Sequence, residues 1–355
     1  MGAVRLQDVA IRAGVSQATA SRVLNGSARI PGAVVAERVR SAARELGYLP
    51  NAQAQALARS STGLLGLVVH DIADPYFSSI VRGVQNAAWS ANKQVLLAST
   101  ERDFDVERES VSTFIAHRAD AIILAGSRQS GSLDRELEAE FERYRANGGR
   151  VVMIGQPLSF GCAVEPENYK ASKALAAALV QQGHRRFALI GGPGNVRTAA
   201  DRRNGFIDEL ARHGITPALE VAGDFTRDGG FSAAKILAAG LGIEPGGAHA
   251  PVCVFAVNDV MAIGAIAAWR EIGIEVPREV CVAGFDDIPT LRDHVPSLST
   301  VSLPLVEIGE RVVQLALRTG ADSENAREAI AGRVILRNSS RLASSHPAES
   351  HPSST

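Results

Sequence analysis

The chain has 355 residues, of which 46% are hydrophobic and 5% aromatic, and its formal net charge is −1. This length predicts about two or three folding units with aliphatic cores that need no cross-links. No N-terminal signal peptide is visible and no apolar run approaches the roughly 18 residues of a membrane span, so we expect a cytoplasmic protein without a membrane partner. Three cysteines without metal-ligand spacing argue against a zinc site or a disulfide framework, and no metal or cofactor is predicted; they are Cys162, Cys253 and Cys281.

Residues 6–25 have the pattern of a helix-turn-helix. Apolar residues recur at helical spacing in the first half, Gly14 suits a tight turn, and Ser16 suits the N-cap of a second helix over residues 17–24. That second helix would leave polar side chains outside, where they could meet the phosphates and base edges of a DNA major groove. On this pattern alone, an ordinary hairpin in a helical domain is an equally good interpretation.

The distribution of charge favours the DNA interpretation. Residues 1–60 contain eight arginines and three acidic residues, which gives a net charge of +5, so the remaining residues carry −6. A small basic unit joined to an acidic body is typical of a nucleic-acid-binding module.

A third helix, predicted over residues 34–46, completes the first unit. After Pro50 and Asn51, residues 52–59 have good helix propensity but no broad apolar face, so a helix there would be marginal by itself. The next four residues have the composition of a linker.

From residue 64 onward, short apolar runs alternate with helical stretches. Such alternation predicts an α/β fold of doubly wound parallel sheets, and about eight strands over this length fit two lobes better than one sheet. The predicted strands are 64–69, 95–98, 121–125, 151–154, 187–190, 252–257 and 280–285. The predicted helices are 81–91, 108–117, 169–182, 203–212, 231–239 and 260–272. Residues 339–355, rich in Ser, His and Pro, are predicted to form a disordered tail.

Several motifs together resemble the LacI/GalR family of bacterial transcription regulators. They occur in order between residues 6 and 340, and comprise the helix-turn-helix, Pro50-Asn51, the strand start at 63–69, Gly183-His184-Arg185-Arg186, Asn258-Asp259 and Gly284-Phe285-Asp286-Asp287. The resemblance implies a DNA-binding head (1–50), a hinge helix and linker (51–61) and a type I periplasmic-binding-protein-like core (62–338). The core would cross three times between an N-subdomain (about 62–157 and 289–318) and a C-subdomain (about 158–288 and 333–338).

The resemblance also implies which residues meet DNA. Arg22 could bind a guanine with two hydrogen bonds, Gln17 an adenine or a phosphate, and Ala18 offers apolar contact. In the hinge, Leu57 matches a wedge that partly unstacks a base step in the minor groove, and Ala54 matches a close contact there. The positions that match phosphate contacts are Ser16, Thr19, Ser21, Asn25 and Arg29. Arg5 stands where the family usually has Thr.

An effector site is implied in the core. Arg202 matches a ligand-clamping arginine and Phe225 an aromatic that stacks on the effector, while Asn258 and Asp286 match polar groups that hold hydroxyls or ring nitrogens. Tyr76 or Phe77 could line the cleft, because they follow a strand at the sheet edge where such folds bind ligands. Two departures are Gly155, where many sugar-responsive members have an acid, and Leu303, where some have a polar group. A sugar or sugar acid fits such a pocket best, and a purine is a further possibility.

The sequence therefore predicts a regulator, most simply a repressor, that binds a palindromic operator as a homodimer under the control of an effector. An enzyme is not expected, since Gly192-Pro193-Gly194 lacks the third glycine of a dinucleotide site and no catalytic motif occurs. The alternative is a transport-type sugar-binding protein, but such a protein would need a signal peptide and would not carry the basic head.

Overall fold

The computed structural model describes residues 4–24, 31–49, 61–126, 135–158, 160–247, 250–318 and 325–342. The chain forms two compact units, a head of residues 1–64 with 118–120 and a core made of the remainder. None of the described helices is long and apolar enough to cross a membrane.

The head is built from three helices: α1 (Leu6–Ala13), α2 (Gln17–Leu24) and α3 (Ala33–Leu46). Gly14 ends α1 in the left-handed region (φ 63°), as the turn requires. The Ser16 hydroxyl accepts a hydrogen bond from the Thr19 N–H at 3.1 Å, which confirms the predicted cap of α2. Small apolar residues fill the centre: Val9, Ala10, Ala13, Ala20, Val23, Ala36, Val39, Ala42 and Ala43.

Arg5 precedes α1 at the capping position, although a guanidinium carries no acceptor for the first helical N–H groups. Only the reciprocal half of a capping box is chemically available, and it forms: the Arg5 N–H donates to the Asp8 carboxylate at 2.8 Å. The helix start is therefore held by Asp8.

The first sheet of the core has the order β11-β5-β4-β3-β1-β2, and its pairs from β11 to β1 are parallel. Its strands are β1 (Leu64–Val69), β2 (Gln94–Ser99), β3 (Ala121–Ala125), β4 (Arg150–Ile154), β5 (Cys162–Pro166) and β11 (Arg327–Ile330). The helices of this lobe are α4 (Pro75–Ser90), α5 (Phe104–Ala116), α6 (Arg135–Ala146) and α11 (Leu305–Leu317).

The second sheet is parallel, with the order β7-β6-β8-β9. It consists of β6 (Phe187–Gly191), β7 (Leu219–Ala222), β8 (Val252–Ala256) and β9 (Val280–Ala283). Its helices are α7 (Asn168–Gln181), α8 (Arg197–Arg212), α9 (Arg227–Leu241) and α10 (Asp259–Glu271). An antiparallel pair, β10 (Thr300–Ser302) with β12 (Arg333–Ile335), continues this lobe through bridges from Ala283 to Ser299 and from Asp286 to Ser302.

Three aromatic rings form the centre of the second lobe. Phe206 of α8 stacks on Phe255 of β8, with ring centroids 4.3 Å apart, and meets Phe187 of β6 edge-on at 5.8 Å. All three are fully buried. Helix α8 is therefore fixed to the sheet by the face that carries Phe206.

The predicted subdomain boundaries were wrong at two places. Residues 158–166 were assigned to the C-subdomain, but β5 pairs with β4 in the first sheet. Residues 289–303 were assigned to the N-subdomain, but β10 pairs with β12 beside the second sheet. The three crossings thus lie near residues 167, 304 and 331. Both strands are too short and too mixed in composition for periodicity to reveal their partners, which tertiary pairing alone decides.

Candidate DNA-binding and effector-binding sites

Helix α2 presents the predicted base-reading side chains outward. Gln17, Ala18 and Arg22 are exposed, whereas Ala20 and Val23 on the opposite side are buried. The buried residues attach α2 to the other head helices and leave its outer face open for a groove. Among the residues predicted to contact phosphates, Ser16 is exposed and Thr19 and Ser21 are half-buried.

The Ser16 and Thr19 hydroxyls are 2.9 Å apart, so they form a small polar group at the start of α2. The remaining predicted DNA contacts, Asn25, Arg29, Ala54 and Leu57, lie outside the described residues, as do residues 50–60 and the end of the predicted tail from residue 343 onward.

Two of the three acidic residues within residues 1–60 form ion pairs with arginines of α1 and α3. Glu37 pairs with Arg44 at 2.7 Å and Glu45 with Arg12 at 2.6 Å. Hydrogen bonds from these arginines hold the pKa of both carboxyls below the usual range. Because Glu37 and Glu45 pair with arginines of α1 and α3, neither of them pairs with Arg22 on α2, whose exposed side chain can therefore meet an external anion.

The core contains a cavity between the strand ends of its two sheets. Its atom-free space, counted together with the solvent at its opening, is about 550 Å³. All six predicted effector residues line it: Tyr76, Phe77, Arg202, Phe225, Asn258 and Asp286. The other lining residues are His70, Asp74, Arg102, Gly126, Ile154, Gly155, Pro166, Asn168, Val196 and Thr198.

A buried ion pair joins two of these residues. An Arg202 Nη atom lies 2.7 Å from Asp286 Oδ1, and both side chains are almost completely buried. Arg202 also donates to Asn168 Oδ1 at 2.9 Å and to the Val257 carbonyl at 2.8 Å. Its guanidinium lies 4.0 Å from the centroid of the Phe285 ring. Three of its five N–H groups are thus used within the protein, which fixes its orientation at the cavity wall.

Burial and charge act in opposite directions on Asp286. The pKa of this carboxyl is raised to about 8, because the effect of burial exceeds the opposing effect of the Arg202 guanidinium. Behind it, burial raises the pKa of Asp259 to about 7, although Asp259 accepts hydrogen bonds from the Thr300 hydroxyl and the Ile288 N–H. Asp259 contributes to the support of the cavity wall because it links α10 to the loop after β9 and to β10.

Asn258 has a supporting role within the chain. Its Oδ1 caps α10 by accepting from the Met261 N–H at 3.0 Å, and its Nδ2 donates to the Phe225 carbonyl at 3.2 Å. Phe225 is held in the left-handed region (φ 71°), which is uncommon for a residue with a side chain. Asn258 therefore fixes the loop that carries the aromatic ring.

Tyr76 and Phe77 begin α4 and differ in exposure. Phe77 is buried in the core and meets the Tyr76 ring edge-on at 4.9 Å. Tyr76 is half-buried, and burial raises the pKa of its hydroxyl, with the Asp286 carboxylate acting in the same direction. Among the described residues, the Tyr76 hydroxyl has no hydrogen-bond partner although it lines the cavity, so it is suited to meet a ligand.

The cavity has Gly155 at the position where many sugar-responsive members of the family have an acidic residue. This residue has φ 106°, a conformation that residues with a side chain rarely adopt. An acidic side chain at this position would require a change of backbone as well as of sequence. Leu303, the other departure, is buried and does not belong to the lining.

Sequence reasoning missed Asp74, Arg102 and Asn168 as lining residues. Asp74 caps α4 by accepting from the Tyr76 N–H at 2.9 Å, and burial raises the pKa of its carboxyl. Arg102 follows β2 on the edge where the strands of the first sheet end, and that position could have indicated it. Asn168 opens α7 directly after a crossing, and the misplaced boundary concealed it.

The two units match known protein families. Residues 5–51 match the family described as bacterial regulatory proteins, lacI family, and residues 176–340 match a periplasmic binding protein-like domain. A head of the first kind joined to a core of the second defines a DNA-binding transcriptional regulator.

Proteins that are similar over most of the chain are also transcriptional regulators. The transcriptional regulator GalS of Salmonella typhimurium is 33% identical over 323 residues, with 90% of each chain covered. The transcriptional repressor CytR of Escherichia coli is 32% identical, with 89% of each chain covered. The lac repressor dimer bound to operator and the anti-inducer ONPF has a TM-score of 0.80 and 26% identity, over 96% of this chain and 100% of that one. The complex of the regulator CelR with cellobiose has a TM-score of 0.66 and 28% identity, over 95% and 99% of the respective chains.

The chain belongs to the lacI family of bacterial regulatory proteins. This membership confirms the predicted family, the α/β fold class with its helix-turn-helix, and the expectation of a regulator rather than an enzyme.

Proposed function

We propose that the protein is a repressor that binds a palindromic operator as a homodimer and responds to a small hydroxylated effector in the core cavity. The observation that carries the effector part is the convergence of all six predicted residues on that cavity. The head supports the DNA part, because α2 exposes Gln17 and Arg22. A cytoplasmic location follows from the need to reach DNA.

The chemistry of the cavity favours a sugar. The Arg202 guanidinium is already held by acceptors of the protein itself, and most other polar groups of the lining are uncharged or paired, so a ligand with several hydroxyls suits the cavity better than a strongly charged one. A sugar acid is the next candidate and a purine the third. The cellobiose complex of CelR is an example of a sugar bound by a structural relative.

Dimerisation is proposed by analogy with the lac repressor dimer. Several large apolar side chains of the core remain exposed, Trp89 (76%) and Val295 (78%) among them, and could be covered by a second copy. Two heads would then meet the two halves of a palindrome, with Ala54 and Leu57 of both hinges in the minor groove between them.

Replacing Arg22 by Ala should weaken operator binding by about 1–3 kcal/mol and relax specificity at one base pair, because a hydrogen-bonding contact to a base edge is lost. The operator is first selected from genomic fragments with the wild-type chain, and binding is then measured on that site and on single-base variants of it.

Arg38→Ala is the matched control for this experiment, since Arg38 is an exposed arginine on α3 of the same head. It removes the same charge without altering base readout. An Arg22→Ala variant that keeps the wild-type preference among the base variants would contradict the placement of α2 in the groove.

Replacing Tyr76 by Phe should weaken effector binding about three- to tenfold, because one neutral hydrogen bond to the ligand is lost while the ring remains. The ligand is chosen by a thermal-shift screen of sugars, sugar acids and nucleosides, and its Kd is measured by calorimetry. The melting temperature without ligand should stay unchanged.

Tyr169→Phe is the control, because the Tyr169 hydroxyl bonds to Asp208 on the surface and does not line the cavity. Equal affinities of wild type and Tyr76→Phe would remove Tyr76 from the site. Stabilisation by nucleosides but by no sugar or sugar acid would contradict the proposed ligand class.

A further inference from the structure

One side chain spans the mouth of the cavity. Arg102 belongs to the turn after β2 in the first lobe, and it contacts the loop after β7 in the second lobe. An Arg102 Nη atom donates to the Asp224 carbonyl at 3.4 Å. The same guanidinium lies 5.3 Å from the centroid of the Phe225 ring. Arg102 and Phe225 both line the cavity.

The backbone on the Arg102 side is strained and locally fixed. Glu101 (φ 51°) and Arg102 (φ 65°) are both left-handed, which is rare for two successive residues with side chains. The turn is fixed by hydrogen bonds from the Thr100 N–H to the Val69 carbonyl at 3.0 Å and from the Asp103 N–H to the Thr100 carbonyl at 2.8 Å. This conformation directs the side chain of Arg102 across the cleft.

The loop after β7, on the second lobe, is also strained and held in place by hydrogen bonds. Phe225 is left-handed, and Asn258 holds its carbonyl. The Asp224 carboxylate fixes Thr226, which follows Phe225, by accepting from its N–H at 2.9 Å and from its hydroxyl at 2.6 Å. Strained residues that the surrounding structure holds in place are concentrated at functional positions. Here two of them, Arg102 and Phe225, meet in a single contact between the lobes, and Glu101 directly precedes one of them.

The contact is weak enough to open. The hydrogen bond is long, and the guanidinium is half-buried rather than enclosed. In the described part of the chain, Arg102 forms no ion pair, whereas Arg202 deeper in the cavity is held by Asp286. Burial lowers the pKa of the Arg102 guanidinium, and the nearby carboxylates of Asp74 and Asp224 act in the opposite direction. A charged group with a weak contact across a cleft can change its partner when a ligand enters.

We propose that Arg102 is a strap that holds the two lobes of the core together before an effector binds, and that the Arg102–Phe225 contact must rearrange for a ligand to enter. The strap is a property of the ligand-free chain. Only its connection with effector entry rests on the proposed function.

The test measures the separation of the lobes by single-molecule fluorescence transfer in the ligand-free, full-length chain. Dyes are attached to Glu109→Cys on α5 and Ala239→Cys on α9, which are exposed positions in different lobes, whereas Cys162, Cys253 and Cys281 are buried. Labelled chain is diluted into an excess of unlabelled chain so that one molecule carries one dye pair.

Arg102→Ala should increase the ratio of open to closed molecules about two- to fivefold, the size expected for loss of an exposed cation–π contact. Arg102→Lys keeps the charge without the planar group and should give an intermediate ratio. Phe225→Leu removes the ring, and combining it with Arg102→Ala should open the lobes no further than the larger single effect. The control, Arg143→Ala, removes an exposed arginine of α6 in the same lobe and should leave the ratio unchanged.

The strap is refuted if Arg102→Ala and wild type give the same distribution, if Arg143→Ala opens the lobes equally, or if the Arg102→Ala and Phe225→Leu effects simply add. Failure of the proposed effector function has a different signature. In that case no sugar or sugar acid binds, while the distribution without ligand still changes in Arg102→Ala.

Discussion

Replacing Arg202 by Ala should lower the free energy of unfolding by about 3–5 kcal/mol, because it opens a cavity at a buried position and leaves buried hydrogen-bond acceptors without their donor. The side chain is almost fully buried, and its loss removes the ion pair with Asp286 and two further hydrogen bonds. Urea unfolding of the full chain measures the effect. Effector binding should be lost as well, because the cavity wall at Asp286 would relax.

The pH dependence of this loss distinguishes charge from packing. Burial already raises the pKa of Asp286 to about 8 with Arg202 present, and removing the guanidinium raises it further. In acid the carboxyl is neutral in both proteins, whereas in alkali only the wild type can ionise it favourably. The destabilisation should therefore be constant from a pH of about 5 to neutral and grow as the pH rises through about 8.

Arg203→Ala is the matched control, since the neighbouring arginine forms a partly exposed pair with Glu220 at 2.7 Å. Its loss should cost about 1 kcal/mol or less. Equal losses for the two variants, or a loss for Arg202→Ala that does not change with pH, would show that the buried pair contributes little.

Replacing Phe206 by Ala should cost about 3–5 kcal/mol, because it opens a cavity among the three rings of the second lobe. Phe206 lies one turn after Arg202 on the same face of α8, so the ring that fixes this helix also sets the position of the guanidinium. Urea unfolding should show the stability loss, and calorimetry with the effector should show weakened binding in the molecules that remain folded.

Phe206→Leu keeps most of the volume and should cost less than about 1.5 kcal/mol with little change in binding. Because the two residues act through the same helix, the stability losses of Phe206→Ala and Arg202→Ala should not add fully in the double variant. Full additivity would mean that the aromatic centre and the ion pair are independent and that α8 does not couple them.

The head was predicted well from sequence because local signals agree there. Gly14, the Ser16 cap and the spacing of apolar residues all act within a few positions, and the structure forms each of them. The central strands of both sheets were found for a similar reason, since their apolar runs are long and fully buried. Local patterns are enough to predict an element where turn residues, caps and apolar spacing all favour the same structure.

Long-range partners were not predictable in this way. Strands β5, β10 and β11 have three to five residues each, and their membership in a sheet depends on partners far along the chain. At the cavity, the resemblance indicated residues by motif, but the contact of Arg102 with Phe225 joins positions on different lobes. No periodicity encodes such a contact. Its only local sign is a polar turn at the end of a strand.

The position of β11 at one end of the first sheet has a consequence for biosynthesis. Its partner, β5, is translated about 160 residues earlier. Until the last part of the chain leaves the ribosome, the nascent first lobe presents the β5 edge unpaired, and β12 is likewise missing from the second lobe. Unpaired strand edges promote association between chains. Chaperone dependence should therefore be greatest late in translation, and a chain cut short after α11 would leave both lobes incomplete.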